Sequence, residues 1–187
     1  MEKVLQETIY FLQKGRTILY PTDTIWGLGC DATNYQAVER VFKIKRRKEH
    51  KSLIVLVDEF AKINDYVEKV PDISRDLVES IDTPLTIIFP KAKNLAKNVI
   101  GNDGSIAIRV TKDDFCKRLV SDFGKPIVST SANVSGHSYP LLFGNISREI
   151  IEEVDYVVDH NKDKLMNTKA SRIIKLEESG EFKVIRE

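Results

Sequence analysis

The chain alternates short β-branched segments with stretches of helical spacing, and this alternation restricts the fold more than any other feature. The segments are bounded by Gly, Pro, Asp or Asn, which is typical of strands. The predicted strands are 17–20, 53–57, 85–89, 106–110, 127–129, 156–158, 172–176 and 182–185. Apolar residues recur at helical spacing over 4–12, 37–42 and 115–120, with Gly15, Asn34 and Gly124 as end signals. We therefore expect one α/β domain over 1–187, with ligands bound at strand ends and some antiparallel strands near the C-terminal end.

Composition excludes several classes of protein. Of the 187 residues, 42% are hydrophobic and 30% are charged, which is typical of folded rather than disordered chains. No apolar run approaches the roughly 18 residues that span a bilayer, and the N-terminus does not resemble a signal peptide. Cys30 and Cys116 stand far apart, and the three histidines lack metal-ligand spacing. We expect a cytoplasmic protein with no membrane segment, no disulfide framework and no metal site of its own.

The charges nearly cancel over the whole chain but are concentrated in one place. The net charge is +1, yet residues 39–51 contain seven bases and only two acids. A solvated helix end whose bases complement the helix dipole would account for one or two of these cations, but not for seven. The density favours a site for a polyanion, either nucleotide phosphates or nucleic acid.

A first polar segment follows the predicted strand 17–20. Thr22 and Thr24 flank Asp23, ahead of a predicted glycine turn at 27–29. The segment is either a functional loop or a capped connection with Trp26 in the core. It also matches a loose dinucleotide fingerprint, but it lacks the strand–turn–helix context that such a site needs.

A second polar segment, 125–136, runs from an apolar strand into four hydroxyls and Asn133. Hydroxyl and backbone N–H donors suit phosphate oxygens, whereas an ordinary Ser/Thr turn is the structural alternative. The Gly-x-Ser-x-Gly motif of a serine hydrolase is absent, and His137 is not a base merely because it lies nearby in sequence.

Arg109 interrupts the apolar strand 106–110. An arginine in such a strand is either exposed at a sheet edge or paired with a buried anion. That anion is a substrate carboxylate or phosphate, or an internal Asp or Glu, and the sequence leaves these interpretations open. Together the polar segments indicate phosphoryl or nucleotidyl transfer, in which catalysis is mostly positioning and charge neutralisation.

In this order, the motifs resemble those of the YrdC-type threonylcarbamoyl-adenylate synthases over nearly the whole chain. The matching segments are PTDTIWGLG at 21–29, KRR at 45–47, LT at 85–86, the strand around Arg109, STSAN at 129–133 with SG at 135–136, and SRII at 171–174. The resemblance implies a twisted open mixed sheet flanked by helices, with a concave basic face. It also implies a nucleotidyltransferase that joins L-threonine, bicarbonate and ATP, the last bound with Mg²⁺, into threonylcarbamoyl-AMP and pyrophosphate for tRNA modification.

The resemblance also assigns roles to individual residues. It implies that Lys45 and Arg47 are catalytic cations that neutralise phosphate charge, and it implies no metal ligand. The implied nucleotide-binding residues are Ser129, Ser131, Asn133, Ser171 and Arg186, and the implied threonine-binding residues are Thr22, Thr24 and Arg109. A tRNA-modifying transferase is the implied partner. The chain departs from the family pattern at 82–84, where Asp-Thr-Pro replaces Pro-Gly-Pro, at Lys48 and at Arg172.

Two other functions stay open beside the synthase. A module of the same fold that binds double-stranded RNA or tRNA directly would show binding that weakens steeply with salt and changes little with ATP. A paralogue that adenylates another carbamoyl compound would keep the nucleotide site but accept a different second substrate.

Overall fold

The computed structural model describes residues 1–47, 53–166 and 170–187. The strands in these residues are β1 (Ile18–Tyr20), β2 (Gly27–Gly29), β3 (Ile54–Val57), β4 (Leu85–Phe89), β5 (Ile106–Val110), β6 (Ile127–Ser131), β7 (Tyr156–Val157), β8 (Arg172–Leu176) and β9 (Phe182–Arg186). The α-helices are α1 (Glu2–Gln13), α2 (Tyr35–Ile44), α3 (Ile63–Tyr66), α4 (Ile73–Ser80), α5 (Asp114–Phe123) and α6 (Arg148–Glu153). Two 3-10 turns, Phe60–Lys62 and Phe143–Asn145, complete the set.

All of these strands belong to one sheet, in the order β7-β1-β2-β6-β3-β5-β4-β8-β9. The pairs β7–β1, β3–β5 and β4–β8 are parallel, and the other neighbours are antiparallel. The mixed sheet flanked by helices confirms the predicted fold class. Each of the eight predicted strands overlaps an observed one, and β8 and β9 provide the expected antiparallel pair near the C-terminal end.

The end signals of two predicted helices act as expected. The side chain of Asn34 accepts a hydrogen bond from the Ala37 N–H at 3.1 Å and caps α2. Asp113 caps α5 in the same way through the Cys116 N–H at 2.8 Å. Gly124 follows α5 with φ 75°, a left-handed conformation that glycine adopts without strain. The sequence does not predict the shorter helices α3, α4 and α6.

One strand corrects the sequence analysis. Residues 27–29 are predicted as a turn, but they form β2, between β1 and β6. A Cβ on Gly29 would lie 2.7 Å from a Tyr20 ring carbon and 2.8 Å from the Val128 carbonyl oxygen. The Tyr20 ring lies against β2 and leaves no room for a side chain at position 29. Glycine, which is rare in strands, is therefore needed there. With a strand in place of a strand–turn–helix junction, the dinucleotide interpretation loses its basis.

The two faces of the sheet are covered to different extents. One face packs against α2, α3 and α6 in a cluster that includes Trp26, Val55 and Ile108. The other face carries Tyr20, Leu56 and Ile127, which pack against α1 and α5. Beyond these residues, the second face is not covered by α1 or α5, and the cavity described below lies there.

Candidate active site

A cavity of about 250 Å³ lies over the uncovered part of the sheet. Its floor is a row of cross-strand neighbours: Ser129 on β6 pairs with Ile54 on β3, Ile54 with Ala107 on β5, and Ala107 with Ile88 on β4. Residues paired across strands project from the same face of a sheet, so these side chains form one continuous surface. That surface is apolar except at Ser129.

The structure places eight of the ten predicted site residues around this cavity. They are Thr22, Thr24, Arg47, Arg109, Ser129, Ser131, Ser171 and Arg186. The other two, Lys45 and Asn133, do not line the cavity and make hydrogen bonds within the loop that follows β6. Residues far apart in sequence therefore converge on one site, because the strands that carry or precede them are neighbours in the sheet.

We name the first wall of the cavity the Arg109 corner, which comprises Thr22, Asp23, Thr24 and Arg109. Arg109 is only 4% exposed and lies on β5, inside the sheet, so the edge-exposed interpretation is wrong. One terminal nitrogen of its guanidinium lies 3.2 Å from Asp23 Oδ1, and the other donates to Thr24 Oγ1 at 3.3 Å. The internal carboxylate that the sequence left open is therefore Asp23.

The hydroxyls of the Arg109 corner hold one another in place. Thr22 Oγ1 donates to the Ile25 carbonyl oxygen at 2.7 Å and accepts the Thr24 N–H at 3.1 Å. Within the described residues, the buried Nε of Arg109 has no hydrogen-bond partner. An unsatisfied buried donor costs about 1–3 kcal/mol, so a ligand that supplies an acceptor would gain from binding there.

We name Lys45 and residues 131–136 the Lys45 loop, which forms the second wall of the cavity through Ser131 and is held from behind by Lys45. Lys45 is 2% exposed, and its Nζ donates to the carbonyl oxygens of Ser131 at 2.5 Å and Asn133 at 2.8 Å. The Lys45 carbonyl oxygen accepts the Ser135 N–H at 2.9 Å, so both ends of the residue hold the loop. Among the described residues no carboxylate lies within 4.0 Å of Nζ to balance its charge. Burial, followed by repulsion from Arg47, lowers the pKa of Lys45 to about 7.

The basic run divides into a surface part and a buried part. Three of its bases form exposed ion pairs: Arg40 with Glu153, Lys43 with Glu39, and Arg46 with Glu149. For these three bases, the exposed pairs agree with the interpretation of the run as a solvated helix end. Lys45 is instead buried and Arg47 is half-buried at the cavity, where partial burial lowers the pKa of the Arg47 guanidinium as well. Lys48 and Lys51 lie outside the described residues.

A β-bulge in β9 brings Arg186 into the cavity. Val184 pairs with Ile174, and Arg186 pairs with Ile173, so Ile185 is an extra residue in the edge strand. Successive residues of β8 point to opposite faces, and Ile173 faces the cavity. In a regular ladder Ile185 would stand opposite Ile173, whereas the bulge gives that place to Arg186.

Arg186 and Ser171 form the third wall together. The Nε and one terminal nitrogen of Arg186 donate to the Ser171 carbonyl oxygen at 3.0 and 2.7 Å, and Ser171 Oγ shares a 2.8 Å hydrogen bond with Thr86 Oγ1. Burial, followed by repulsion from Arg109, lowers the pKa of Arg186. The unusual Arg172 is exposed and lies in a groove beside α4, so this departure from the family pattern does not enter the cavity.

Sequence reasoning missed three residues of this site. Asp23 stands between two predicted site residues but was given no role, and only the structure shows its contact with Arg109. Thr86 supports Ser171 across two parallel strands, a contact that needs the pairing of β4 with β8. Tyr139 lines the cavity without belonging to any motif, so no sequence signal indicates it.

The described residues also bear on the expectations for disulfides, metal sites and membrane spans. Cys30 and Cys116 are both buried, and neither forms a disulfide. No group of three or more His, Cys, Asp or Glu side chains in the described ranges could hold a metal ion. None of the helices in these ranges is both long enough and apolar enough to cross a bilayer.

The fold and the site define an α/β protein that has three arginines around a cavity on an open sheet face, an arrangement suited to anionic ligands. The profile of the Sua5/YciO/YrdC family, described as "Telomere recombination", matches residues 10–187. The chain belongs to this family. It is 40% identical over 161 residues to the threonylcarbamoyl-AMP synthase of Pseudoalteromonas translucida (strain TAC 125). The aligned residues cover 84% of this chain and 86% of that protein.

Solved structures support the fold. P. abyssi Sua5 complexed with L-threonine superposes with a TM-score of 0.85 at 23% identity, over 94% of this chain. The chain spans 52% of that longer protein. E. coli YciO superposes with a TM-score of 0.86 at 20% identity, over 100% of this chain and 90% of that protein. At these identities the likeness establishes the fold alone.

Proposed function

We propose that this protein is an L-threonylcarbamoyladenylate synthase, which forms threonylcarbamoyl-AMP and pyrophosphate from L-threonine, bicarbonate and ATP. One observation carries the proposal: a single cavity joins the charge-balanced Arg109 corner to the Lys45 loop, where a buried cation lacks a carboxylate among the described residues. The first wall suits a zwitterion and the second suits a polyanion. The sequence likeness to a named synthase supports the same pair of substrates.

Threonine would bind in the Arg109 corner. The unsatisfied Nε of Arg109 offers a donor to the amino-acid carboxylate, and Asp23 keeps the guanidinium in place. Thr22 and Thr24 line the same part of the cavity and offer hydroxyls to the substrate. The complex of P. abyssi Sua5, a protein of the same fold, with L-threonine supports threonine as a substrate.

ATP phosphates would bind between the Lys45 loop and Arg186. Ser129, Ser131 and Ser171 supply hydroxyls, Arg47 and Arg186 supply charge at the cavity surface, and Lys45 and Asn133 hold the loop. Mg²⁺ would enter as part of the ATP substrate, since phosphate oxygens are its usual ligands. These roles rest on the positions of the side chains and on the family resemblance.

The reaction then needs two bond-forming steps. The threonine amine, in its neutral form, attacks the carbon of bicarbonate or carbon dioxide and yields a carbamate. From bicarbonate the step releases water, and from carbon dioxide it releases a proton. A carbamate oxygen attacks the α-phosphorus of ATP, and pyrophosphate leaves in line with the bond electrons. Arg47 and the cations beside it neutralise the charge that develops on the departing phosphates, which is where positioned cations lower a barrier most.

The product is a reactive mixed anhydride, so an enzyme that transfers its threonylcarbamoyl group must consume it. We propose a tRNA-modifying transferase as that partner and the cytoplasm as the location. Direct RNA binding stays an alternative use of the same cations, and it predicts an affinity that falls steeply with salt and is indifferent to ATP.

The test is a pyrophosphate-release assay with each substrate omitted in turn. We expect release to require ATP, threonine and bicarbonate together, and the product to have the mass of threonylcarbamoyl-AMP. Release that continues without threonine would contradict the proposal. Release with carbamoyl phosphate in place of threonine and bicarbonate would favour the paralogue instead.

A further inference from the structure

The roles proposed above leave part of the cavity lining without a ligand group. Ile54, Ala107 and Ile88 form the apolar floor, and Ile173 continues it on β8. The hydroxyls and arginines account for phosphate and amino-acid contacts, but apolar side chains offer those groups nothing. This part of the cavity suits the remaining group of an ATP molecule, its flat purine base.

Tyr139 is the only aromatic residue among the described residues that line the cavity. The residue is 40% exposed at the cavity, whereas Trp26 is buried. Tyr139 comes from the segment after the Lys45 loop rather than from the sheet. The cavity is therefore lined by apolar side chains from the sheet and by an aromatic ring from the loop side.

The backbone before Tyr139 is fixed by the residues proposed to hold phosphate. Asn133 Nδ2 donates to the carbonyl oxygens of His137 at 2.6 Å and Val134 at 3.1 Å. The loop is also held by the Lys45 contacts described above, and Pro140 restricts the backbone of Tyr139 from the other side. The backbone that carries the ring is thus held by the same residues as the phosphate-binding loop, which keeps Tyr139 close to the proposed phosphate site.

We propose that Tyr139 stacks on the adenine of bound ATP and sets the preference of the site for a purine nucleotide. The inference rests on the proposed function, because it takes the nucleotide from there. Stacking between a base and an aromatic side chain accounts for about 5- to 100-fold in affinity when the aromatic residue is replaced by alanine. A purine presents a larger stacking surface than a pyrimidine, so the loss should be greater for ATP than for CTP.

The test compares ATP and CTP binding by calorimetry in the wild type, Tyr139→Ala and Tyr139→Trp. We expect Tyr139→Ala to raise the Kd of ATP by about 5- to 100-fold and to reduce the ATP-over-CTP preference, while Tyr139→Trp restores both. The matched control is Tyr10→Ala, which removes an exposed tyrosine on α1, outside the cavity. The KM of threonine should stay within about twofold in Tyr139→Ala, because the ring does not belong to the Arg109 corner.

The outcomes separate this inference from the proposed function. If Tyr139→Ala binds ATP within about twofold of the wild type, the stacking role is wrong, whatever reaction the enzyme catalyses. If the wild type binds ATP through Tyr139 but releases no pyrophosphate with threonine and bicarbonate, the proposed reaction is wrong and the stacking role stands. Equal losses for ATP and CTP would overturn the role in purine preference.

Discussion

The Arg109 corner and the Lys45 loop each bury a basic side chain beside the same cavity, but they balance its charge differently. Arg109 faces the Asp23 carboxylate at 3.2 Å, whereas Lys45 Nζ faces two backbone carbonyls. Carbonyl oxygens satisfy hydrogen bonds without supplying a negative charge. The corner is therefore nearly neutral before any ligand binds, and the loop keeps a net positive charge whenever Lys45 is protonated.

The difference indicates which substrate each wall recognises. A neutral corner with fixed hydroxyls can bind an amino acid, whose charges also cancel, at little electrostatic cost. A buried cation without a counter-charge is costly alone and gains most from an anion, so the loop should respond strongly to phosphate. Changes on one wall should then affect one substrate more than the other.

The largest effect is expected from the loop. Lys45→Met keeps the length of the side chain but removes the charge and both hydrogen bonds to the loop. We expect kcat/KM for pyrophosphate release to fall by about 100- to 1,000-fold, as when one preorganised donor is removed from an active site. Lys43→Met is the matched control, since Lys43 lies in the last turn of α2, just before Lys45, and pairs with Glu39 at the surface. A folded Lys45→Met protein whose kcat/KM lies within about tenfold of the wild-type value would contradict the role assigned to the charge of Lys45.

The sequence predicts most of the strands and most of the cavity lining, but not how the charges of Arg109 and Lys45 are balanced. The β-branched segments predict all the strands except β2, whose two glycines are typical of a turn and whose Gly29 is explained only by the Tyr20 ring packed against it. Motif residues predict most of the cavity lining. The partner of each cation could not be predicted, because the contact between Asp23 and Arg109 spans 86 positions and depends on strand order.

A smaller and more selective effect is expected from the corner. Asp23→Asn keeps the shape of the side chain but leaves Arg109 without its counter-charge. Asp23 holds the guanidinium in place for the substrate carboxylate, and a small misplacement of a positioning group is costly, so we expect the KM of threonine to rise by about 10- to 100-fold. The Kd of ATP should change by about twofold at most, since the phosphates bind at the other walls.

The control for the corner is Asp122→Asn, which removes an exposed carboxylate that pairs with Arg118 on the surface. It should leave both substrate constants unchanged, because exposed pairs contribute little. Equal losses of threonine and ATP binding in Asp23→Asn would show that the two walls are not independent. A loss of ATP binding alone would reverse the assignment of the walls.

The smallest effect is expected in the number of protons taken up when each substrate binds. With a pKa of about 7, Lys45 is mostly neutral at pH 8 in the free protein, and a neutral amine still has two N–H groups for its two carbonyls. Phosphates would raise this pKa toward the ordinary 10.5, so ATP binding at pH 8 should take up nearly one proton, about 0.9 at most. At pH 6 Lys45 is already mostly charged, and its uptake should fall to about 0.1 proton.

Calorimetry in buffers of different ionisation enthalpy measures this uptake, and Lys45→Met should abolish it. The same shift predicts that the free protein gains stability as the pH rises from about 7 to 10.5, because the unfolded chain binds the extra proton over that range. Threonine binding should lack the Lys45-dependent uptake, since Asp23 already balances Arg109. ATP binding whose proton count is the same in the wild type and in Lys45→Met would show that the charge of Lys45 is already balanced without the nucleotide.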